Sequence, residues 1–241
     1  MVLFRSALWA FLLAVSTVVF AEEHNTLSEE EQAAGWQLLF DGQDMSQWRN
    51  FKKDTLNEKW QVQDGTMTLT RRGGGDIITR EKYRDFELRL EWKISEAGNS
   101  GIFVLVSEEG RKVYSRAPEI QILDNERHSD RKDPTHRSGS LYDMIAAPSE
   151  SFRDAGEWNQ VVIRLQNRRL QVWQNDVQTT DIVIGSERWN ELLADSKFAR
   201  WKGFAEDEQG YIGQQDHSDV VHFRNLKVLR LDAEQADESG G

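Results

Sequence analysis

One stretch of nine residues alternates strictly between apolar and polar side chains, and it constrains the fold more than any other feature of the chain. In a β-strand, one face of this stretch would carry Phe86, Leu88, Leu90, Trp92 and Ile94. The other face would carry Glu87, Arg89, Glu91 and Lys93. A period of two residues over this length predicts a strand with one buried face and one face in water.

Similar short segments follow one another along most of the chain, separated by residues that favour turns. Asp-Gly pairs at 41–42 and 64–65 are typical of tight turns, because Gly tolerates a positive φ angle. A slip in the alternation around Asn225 suggests a β-bulge in the last strand. Only one short helix is expected, with Ser186 as its cap. The pattern predicts an all-β sandwich of two antiparallel sheets, one of which curves to form a cleft on its outer polar face.

The two ends of the chain differ from the central part. Residues 1–21 have a positive start, an apolar run and a small-x-small ending, which predict a cleaved signal peptide rather than a membrane anchor. Residues 22–34 are polar and acidic, and we interpret them as a disordered lead or a short helix. The domain is expected to cover residues 35–231, followed by a disordered acidic tail at 232–241. We therefore expect a bacterial protein that is secreted or periplasmic, with no membrane association once the signal is removed.

The amino-acid composition limits the classes of molecule that the protein is expected to bind. The net charge is −11, which argues against nucleic acid and anionic membranes but not against a neutral carbohydrate. The chain has no Cys, so it contains no disulfide and no lipoprotein attachment site. Its nine Trp residues are expected mostly in the core, with a minority on the cleft, where a sugar ring can stack. We expect a small carbohydrate as the partner and predict no protein partner.

The stretch 119–124 contains the first candidate site. Glu119 and Gln121 would share the outer face of a strand, because the two isoleucines between and after them take the other face. Asp124 is out of phase and would reach that outer face only if the strand bulged near Leu123. Two carboxylates and an amide on one surface would suit acid–base chemistry on a polar, neutral substrate such as a sugar. The alternative is an ordinary strand facing solvent.

Three loops are expected to bring further side chains to the cleft. Asn99 lies in a predicted turn at 98–101 and offers hydrogen bonds, while Gly101 allows close approach. Tyr142 could stack on a sugar ring or donate a proton. His217 carries an imidazole, which could accept or donate one. Each has a plainer alternative, namely a tight turn, a packing residue and a surface residue.

No metal ligands are predicted, and no cofactor. The spacing of His128 and His136 matches no standard zinc pattern. A structural or catalytic divalent ion stays possible, because several aspartates lie near turns, where oxygen-rich loops bind hard cations. These are Asp41, Asp44, Asp124 and Asp143.

Seven ordered segments resemble the 3-keto-disaccharide hydrolase domain family of the concanavalin A-like lectin/glucanase superfamily, a domain long catalogued as one of unknown function. They are GWQLLFDG (35–42), DFELRLEW (85–92), NSGIF (99–103), EIQILD (119–124), GSLY (139–142), GQQDH (213–217) and FRNL (223–226). The resemblance implies a concanavalin-like jelly-roll β-sandwich. It also implies cleavage of glycosides whose sugar has been oxidised at C3, and a secreted or periplasmic location.

One departure bears on the mechanism. Glucanases of this fold class carry a Glu-x-Asp-x-x-Glu strand, and the analogous stretch here is Glu119-x-Gln121-x-x-Asp124. The middle acid is an amide, which disfavours the retaining mechanism with its two carboxyl groups about 5–5.5 Å apart. A C3 ketone instead acidifies the C2 proton, so that a single general base can start an elimination at C1, and water adds afterwards.

For this chemistry we hypothesise the following roles. Glu119 or His217 would be the base, and Asp124 would orient that base or protonate the leaving oxygen. Hydrogen bonds to the substrate would come from Gln121, Asn99, Tyr142, Glu91, Lys93 and Arg89. Two alternatives stay open: a non-catalytic carbohydrate-binding module, and a classical glycoside hydrolase that acts on unoxidised glucans.

Overall fold

Two antiparallel sheets pack face to face in the computed structural model, which describes residues 23–231. This confirms the predicted all-β sandwich. The predicted signal peptide at 1–21 and acidic tail at 232–241 lie outside the described residues.

The strands, in chain order, are β1 (Gln37–Leu38), β2 (Trp48–Asn50), β3 (Trp60–Gln63), β4 (Thr66–Leu69), β5 (Ile77–Thr79), β6 (Phe86–Ile94), β7 (Asn99–Val106), β8 (Glu119–Leu123), β9 (Asn159–Gln166), β10 (Arg169–Gln174), β11 (Val177–Val183), β12 (Tyr211–Gln214) and β13 (Val221–Arg230). The α-helices are α1 (Glu29–Ala33) and α2 (Glu187–Asp195). Short 3-10 helices cover Val113–Ser115, Ser129–Lys132, Pro134–His136, Ser149–Ser151 and Lys197–Arg200.

The larger sheet has eight strands in the order β11-β10-β9-β6-β13-β4-β3, with β1 paired to β13 beyond the region where β4 pairs. The smaller sheet has five strands in the order β2-β5-β12-β7-β8. Strand β6 has the bounds that its alternation predicts, and its five apolar side chains are buried between the sheets. The phase slip in β13 is a bulge between Arg224 and Lys227, where Asn225 has a φ of 54°.

The lead segment is ordered where the structure describes it, so the disordered lead was wrong and the short helix was the correct alternative. Ser28 and Glu31 form a reciprocal capping box that starts α1. Glu31 also bonds the ammonium of Lys227 on β13. Asn25 is buried and exchanges backbone-to-side-chain hydrogen bonds of 2.7 and 2.8 Å with Asn225 at the bulge. These contacts hold residues 23–34 against the larger sheet, which accounts for a second α-helix beside the predicted α2.

Two local predictions around the smaller sheet were also wrong. Asn99 to Gly101 do not form a turn, because they already pair with β8 as the first residues of β7. Strand β8 has no bulge at Leu123, since its pairing with β7 runs without a shift and the N–H of Asp124 continues the ladder to the carbonyl of Gly98. The polar face of β8 therefore ends before Asp124.

The described part of the chain has no helix with the length and apolar character that crossing a bilayer requires.

Candidate active site

A cavity of about 360 Å³ opens on the outer face of the smaller sheet. Its floor comes from the strands β7 and β8 and from the residue that follows β12, while loops form its walls. The lining residues are Asn99, Tyr114, Glu119, Gln121, Asp130, Tyr142, Lys197, Phe198, Trp201, Gln215 and His217. Glu119 and Gln121 reach it because Ile120 and Ile122 fill the core on the opposite face of β8.

The carboxyl group of Glu119 lies across the neighbouring strand at Gly101. A Cβ atom built on Gly101 would lie 2.2 Å from Oε1 of Glu119. Gly101 also accepts a 2.9 Å backbone hydrogen bond from Gln215, and Nε2 of Gln215 donates to Oε1 of Glu119 at 3.1 Å. Only glycine leaves room for this arrangement.

Burial changes the acidity of Glu119. The side chain is only slightly exposed, and loss of water raises its pKa from 4.5 to about 8. The ammonium of Lys197 and the hydrogen bond from Gln215 oppose this rise, while the nearby charges of Asp76 and Asp130 add to it. Glu119 is therefore a carboxyl group that exchanges its proton near neutral pH, as an acid or base catalyst must.

Three amide groups around this carboxyl group have buried oxygens without a partner. They are Oδ1 of Asn99, Oε1 of Gln121 and Oε1 of Gln215. All three side chains are more than nine-tenths buried, and all three line the cavity. An acceptor without a hydrogen bond in such a place is costly, so these oxygens are suited to bind donor groups of a ligand.

The loop wall is held by an imidazole between two carboxylates. His136 contacts Oδ1 of Asp143 at 2.8 Å and Oδ1 of Asp130 at 3.1 Å. Burial lowers the pKa of His136, but the hydrogen bonds with Asp143 and Asp130 outweigh it and leave the pKa raised. The ring of Tyr142 stacks on that of His136 at 4.4 Å, and its hydroxyl donates to Asp130 at 3.2 Å. Burial raises the pKa of Tyr142, so its hydroxyl keeps its proton.

Lys197 brings a cation to the same wall. Its backbone N–H donates to Oδ2 of Asp143 at 2.6 Å, and its ammonium lies 3.9 Å from the centre of the Tyr142 ring. Desolvation lowers the pKa of this ammonium, against the pull of Glu119, Asp143 and Asp130. A cation in this position can stabilise negative charge that develops on a bound ligand.

His217 also lines the cavity, with its ring 6.3 Å from that of His128. The loop that carries it is fixed by Asp216, whose Oδ2 accepts hydrogen bonds from the backbone of Gly73 and Gly75 at 3.0 and 2.7 Å. The neighbouring Asp216 is thus a loop anchor and not a partner for the imidazole.

Asp124 does not belong to this site, contrary to the prediction. Its carboxylate accepts backbone hydrogen bonds from Ala97, Glu126 and Arg127 and contacts the Arg127 guanidinium at 3.3 Å. Burial opposes ionisation, but these hydrogen bonds outweigh it and lower the pKa of Asp124. Because β8 continues without a bulge, Asp124 is placed to join two turns and does not line the cavity.

The larger sheet, and not the sheet that carries the cavity, contains three residues that were predicted to bind the substrate, namely Glu91, Lys93 and Arg89. All three belong to β6, whose polar face is on the other side of the sandwich. Glu91 pairs with Arg224 at 2.7 Å, and the Lys93 ammonium lies 4.9 Å from the ring centre of Trp158. Arg89 pairs with Glu87 at 2.7 Å. The alternation correctly placed them on the outward, polar face of a strand. It does not show to which of the two sheets that strand belongs.

Several lining residues were missed by sequence reasoning. The 3-10 helix after α2 contributes Lys197 and Phe198, and Trp201 follows it directly. No periodic pattern marks a face in this segment. Asp130 lies in the loop 125–137, and a charged loop of this kind usually faces solvent. Tyr114 is also in a short 3-10 helix. Only Gln215 stood in a loop that the sequence had linked to the cleft.

One group of side chains has the spacing of a cation site. Potential ligand atoms of Asp133, His136 and Asp143 lie within 4.8 Å of one another. The divalent ion that the sequence leaves open would have these residues as candidate ligands, although His136 already shares hydrogen bonds with two carboxylates.

Known proteins resemble this chain along most of its length. Residues 35–229 match a family described as the 3-keto-alpha-glucoside-1,2-lyase-like domain. A 3-keto-disaccharide hydrolase from Bacteroides thetaiotaomicron is 37% identical, over 88% of this chain and 84% of that protein.

Crystal structures show the same architecture. A candidate glycosyl hydrolase from Parabacteroides distasonis superimposes with a TM-score of 0.81 at 28% identity, covering 87% of this chain and all of that one. Another from the same organism gives 0.56 at 27% identity, covering 81% of this chain and 84% of that one. Sequence, fold and coverage agree, and the chain belongs to the family of 3-keto-alpha-glucoside-1,2-lyase-like domains.

Proposed function

We propose that this enzyme cleaves the glycosidic bond of sugars that carry a ketone at C3, with 3-keto-disaccharides as the substrate class. Family membership and the hydrolase from Bacteroides thetaiotaomicron support this reaction class. The observation that carries the proposal is the setting of Glu119, a buried carboxyl group with a pKa of about 8 among three unpartnered amide oxygens.

The amide oxygens suit a sugar. Sugar hydroxyl groups donate hydrogen bonds, and Asn99, Gln121 and Gln215 each offer a buried acceptor. The ring would then lie on the strand floor, beside the Glu119 carboxyl group that packs over Gly101. In this position the C2 proton of the sugar would come within reach of the carboxylate.

The chemistry requires only one base for its first step. Glu119 removes the C2 proton, and the electron pair forms an enolate with the C3 ketone. The enolate then collapses to a C1–C2 double bond and expels the oxygen substituent at C1. Water finally adds its hydroxyl to C1 and a proton to C2. A carboxylate with a raised pKa is a stronger base than an ordinary Glu, which suits the removal of a carbon-bound proton.

The remaining roles follow from what else lines the cavity. The Lys197 ammonium would stabilise the enolate oxygen. His217 would protonate the leaving oxygen, because Asp124, which was predicted for that task, lies outside the cavity. The sequence analysis left Glu119 and His217 as alternative candidates for the base. Burial of Glu119 favours its carboxyl group for this role.

The test compares an oxidised disaccharide with its unoxidised form. The wild-type protein should release product only from the 3-keto sugar, and Glu119→Gln should lose about 10²- to 10⁴-fold in kcat. Arg89→Ala, on the other sheet, is the matched control and should keep full activity. Equal release from the plain disaccharide would favour a classical hydrolase, and tight binding without product a carbohydrate-binding module. Either result, or unchanged turnover in Glu119→Gln, would overturn the proposal.

A further inference from the structure

A second cavity, of about 510 Å³, adjoins the first. It is lined by Glu109, Gly110, Arg111, Lys112, Tyr114, Ser115, Arg116, Trp201 and Lys202. Tyr114 and Trp201 line both cavities, so the two form neighbouring compartments with a shared aromatic boundary. A ligand that fills the first compartment and extends past these rings would enter the second.

The boundary is a firm aromatic surface. The rings of Tyr114 and Trp201 lie 5.8 Å apart, and Trp201 packs edge-on against Phe198 at 5.0 Å. Tyr114 is 38% exposed, and Val183 is the other large apolar side chain that is exposed within residues 23–231. An exposed aromatic ring held beside a cavity can pack against the C–H face of a sugar.

The second cavity is basic although the protein as a whole is acidic. The net charge of the chain is −11, yet Arg111, Lys112 and Lys202 line this cavity and form no ion pair with any residue between 23 and 231. A fourth cation, Arg116, is held by Asp207 at 2.8 Å. Glu109 is the only acid in the lining.

We propose that this second cavity binds the leaving sugar and favours one that carries an anionic substituent, a carboxylate or a sulfate. The inference rests on the proposed function, because it assumes that the oxidised sugar occupies the cavity around Glu119. The leaving sugar then lies on the far side of the Tyr114 and Trp201 rings, in the cavity lined by Lys112 and Lys202, which form no ion pair within residues 23–231. An anion there gains attraction that a neutral sugar does not.

The experiment measures kcat/KM for 3-keto-glucosides with four leaving groups: methanol, glucose, glucuronate and glucose 6-sulfate. The wild-type protein should prefer the anionic sugars over glucose by roughly three- to tenfold, the size expected for two exposed ion pairs. In the double variant Lys112→Gln/Lys202→Gln the ratio should fall toward one. It should also fall as added salt screens the charges. Lys53→Gln, an exposed lysine outside both cavities, should leave the ratio unchanged.

A second pair of variants tests the aromatic boundary. Tyr114→Ala should raise KM more for the disaccharides than for the methyl glycoside, and Tyr114→Phe should have the wild-type KM, because the ring and not the hydroxyl group makes the contact.

The ratio of kcat/KM for anionic over neutral leaving sugars decides the inference. A ratio near one in the wild-type protein, or a ratio that persists in the double lysine variant, would overturn it. If the glucuronate and the sulfate differ, the better substrate identifies the preferred anion.

Failure of the proposed function gives a different result, since no 3-keto-glucoside would then be cleaved. Calorimetric binding of the same disaccharides does not depend on turnover and decides the inference in that case. Tighter binding of the anionic disaccharides, reduced in Lys112→Gln/Lys202→Gln, would support it, and equal binding would overturn it.

Discussion

Burial of Glu119 should cost the folded protein stability at alkaline pH, and Glu119→Gln should recover it. The unfolded chain ionises this carboxyl group near pH 4.5, whereas the folded protein holds its proton up to about pH 8. Between these values the unfolded state has fewer bound protons than the folded one, so wild-type stability falls as pH rises. Gln has nearly the same shape as protonated Glu but never ionises, so the variant avoids this loss.

The pKa difference gives the magnitude. A rise from 4.5 to about 8 corresponds to about 3–6 kcal/mol of free energy at pH 9, where the buried carboxylate is charged. At pH 5 the difference should be under about 1 kcal/mol, because the wild-type side chain is neutral in the folded protein and only partly ionised in the unfolded chain. A loss of this size is a large share of the 5–15 kcal/mol by which a typical domain is stable.

The assay is urea unfolding followed by Trp fluorescence at pH 5, 7 and 9 for the wild type and Glu119→Gln. The free energy of unfolding of the variant should exceed that of the wild type increasingly from pH 5 to pH 9. The exposed Glu157→Gln is the matched control and should show no pH-dependent difference. A difference that stays constant with pH, or a wild type that is more stable than the variant at pH 9, would refute the claim that Glu119 is a buried carboxyl group with a raised pKa. If Glu119→Gln gains stability and loses catalysis, then the stability that the wild type loses by burying Glu119 serves the reaction.

Four further changes test two residues that the structure places at the site and two that it places outside it. Gly101→Ala should keep the fold but lower kcat/KM by at least about tenfold in steady-state kinetics, because the new Cβ displaces the Glu119 carboxyl group. Lys197→Met should lower kcat and move the rising limb of the pH–kcat/KM profile to higher pH, because the ammonium of Lys197 lowers the pKa of Glu119 in the wild type. An unchanged profile would show that Lys197 does not influence the pKa of Glu119. Asp124→Asn should cost about 2 kcal/mol in urea unfolding while the activity of the folded protein is kept. Lys93→Ala should leave KM for a 3-keto-disaccharide unchanged, and a raised KM would return the larger sheet to consideration.

The sequence predicted the strands well where one face is buried. The alternation in β6 gave its bounds, and the phase slip in β13 gave the bulge at Asn225. Both are local signals that a period of two residues reveals. The lead helix was harder, because its order depends on Asn25 and Glu31 contacting a strand about 200 residues away.

The site was predictable on its strands and only partly predictable on its loops, where the sequence pointed to Tyr142 and His217 but not to Lys197 or Asp130. Glu119 and Gln121 reach the cavity because the phase of β8 alone decides their face. Lys197 and Asp130 come from 3-10 turns whose positions depend on contacts with Asp143 and His136, which leave no trace in spacing. Asp124 shows the opposite error, since an acid next to the strand of Glu119 resembles a site residue until its backbone hydrogen bonds are seen.

The removal of the C2 proton is the most direct test of the mechanism. A 3-keto-disaccharide with deuterium at C2 of the oxidised sugar would be given to the wild-type enzyme and to Glu119→Gln, with the label followed by NMR. We expect slower cleavage of the labelled sugar by the wild type and loss of deuterium to water, and neither cleavage nor loss with the variant. Cleavage at an unchanged rate with the deuterium retained at C2 would contradict the account.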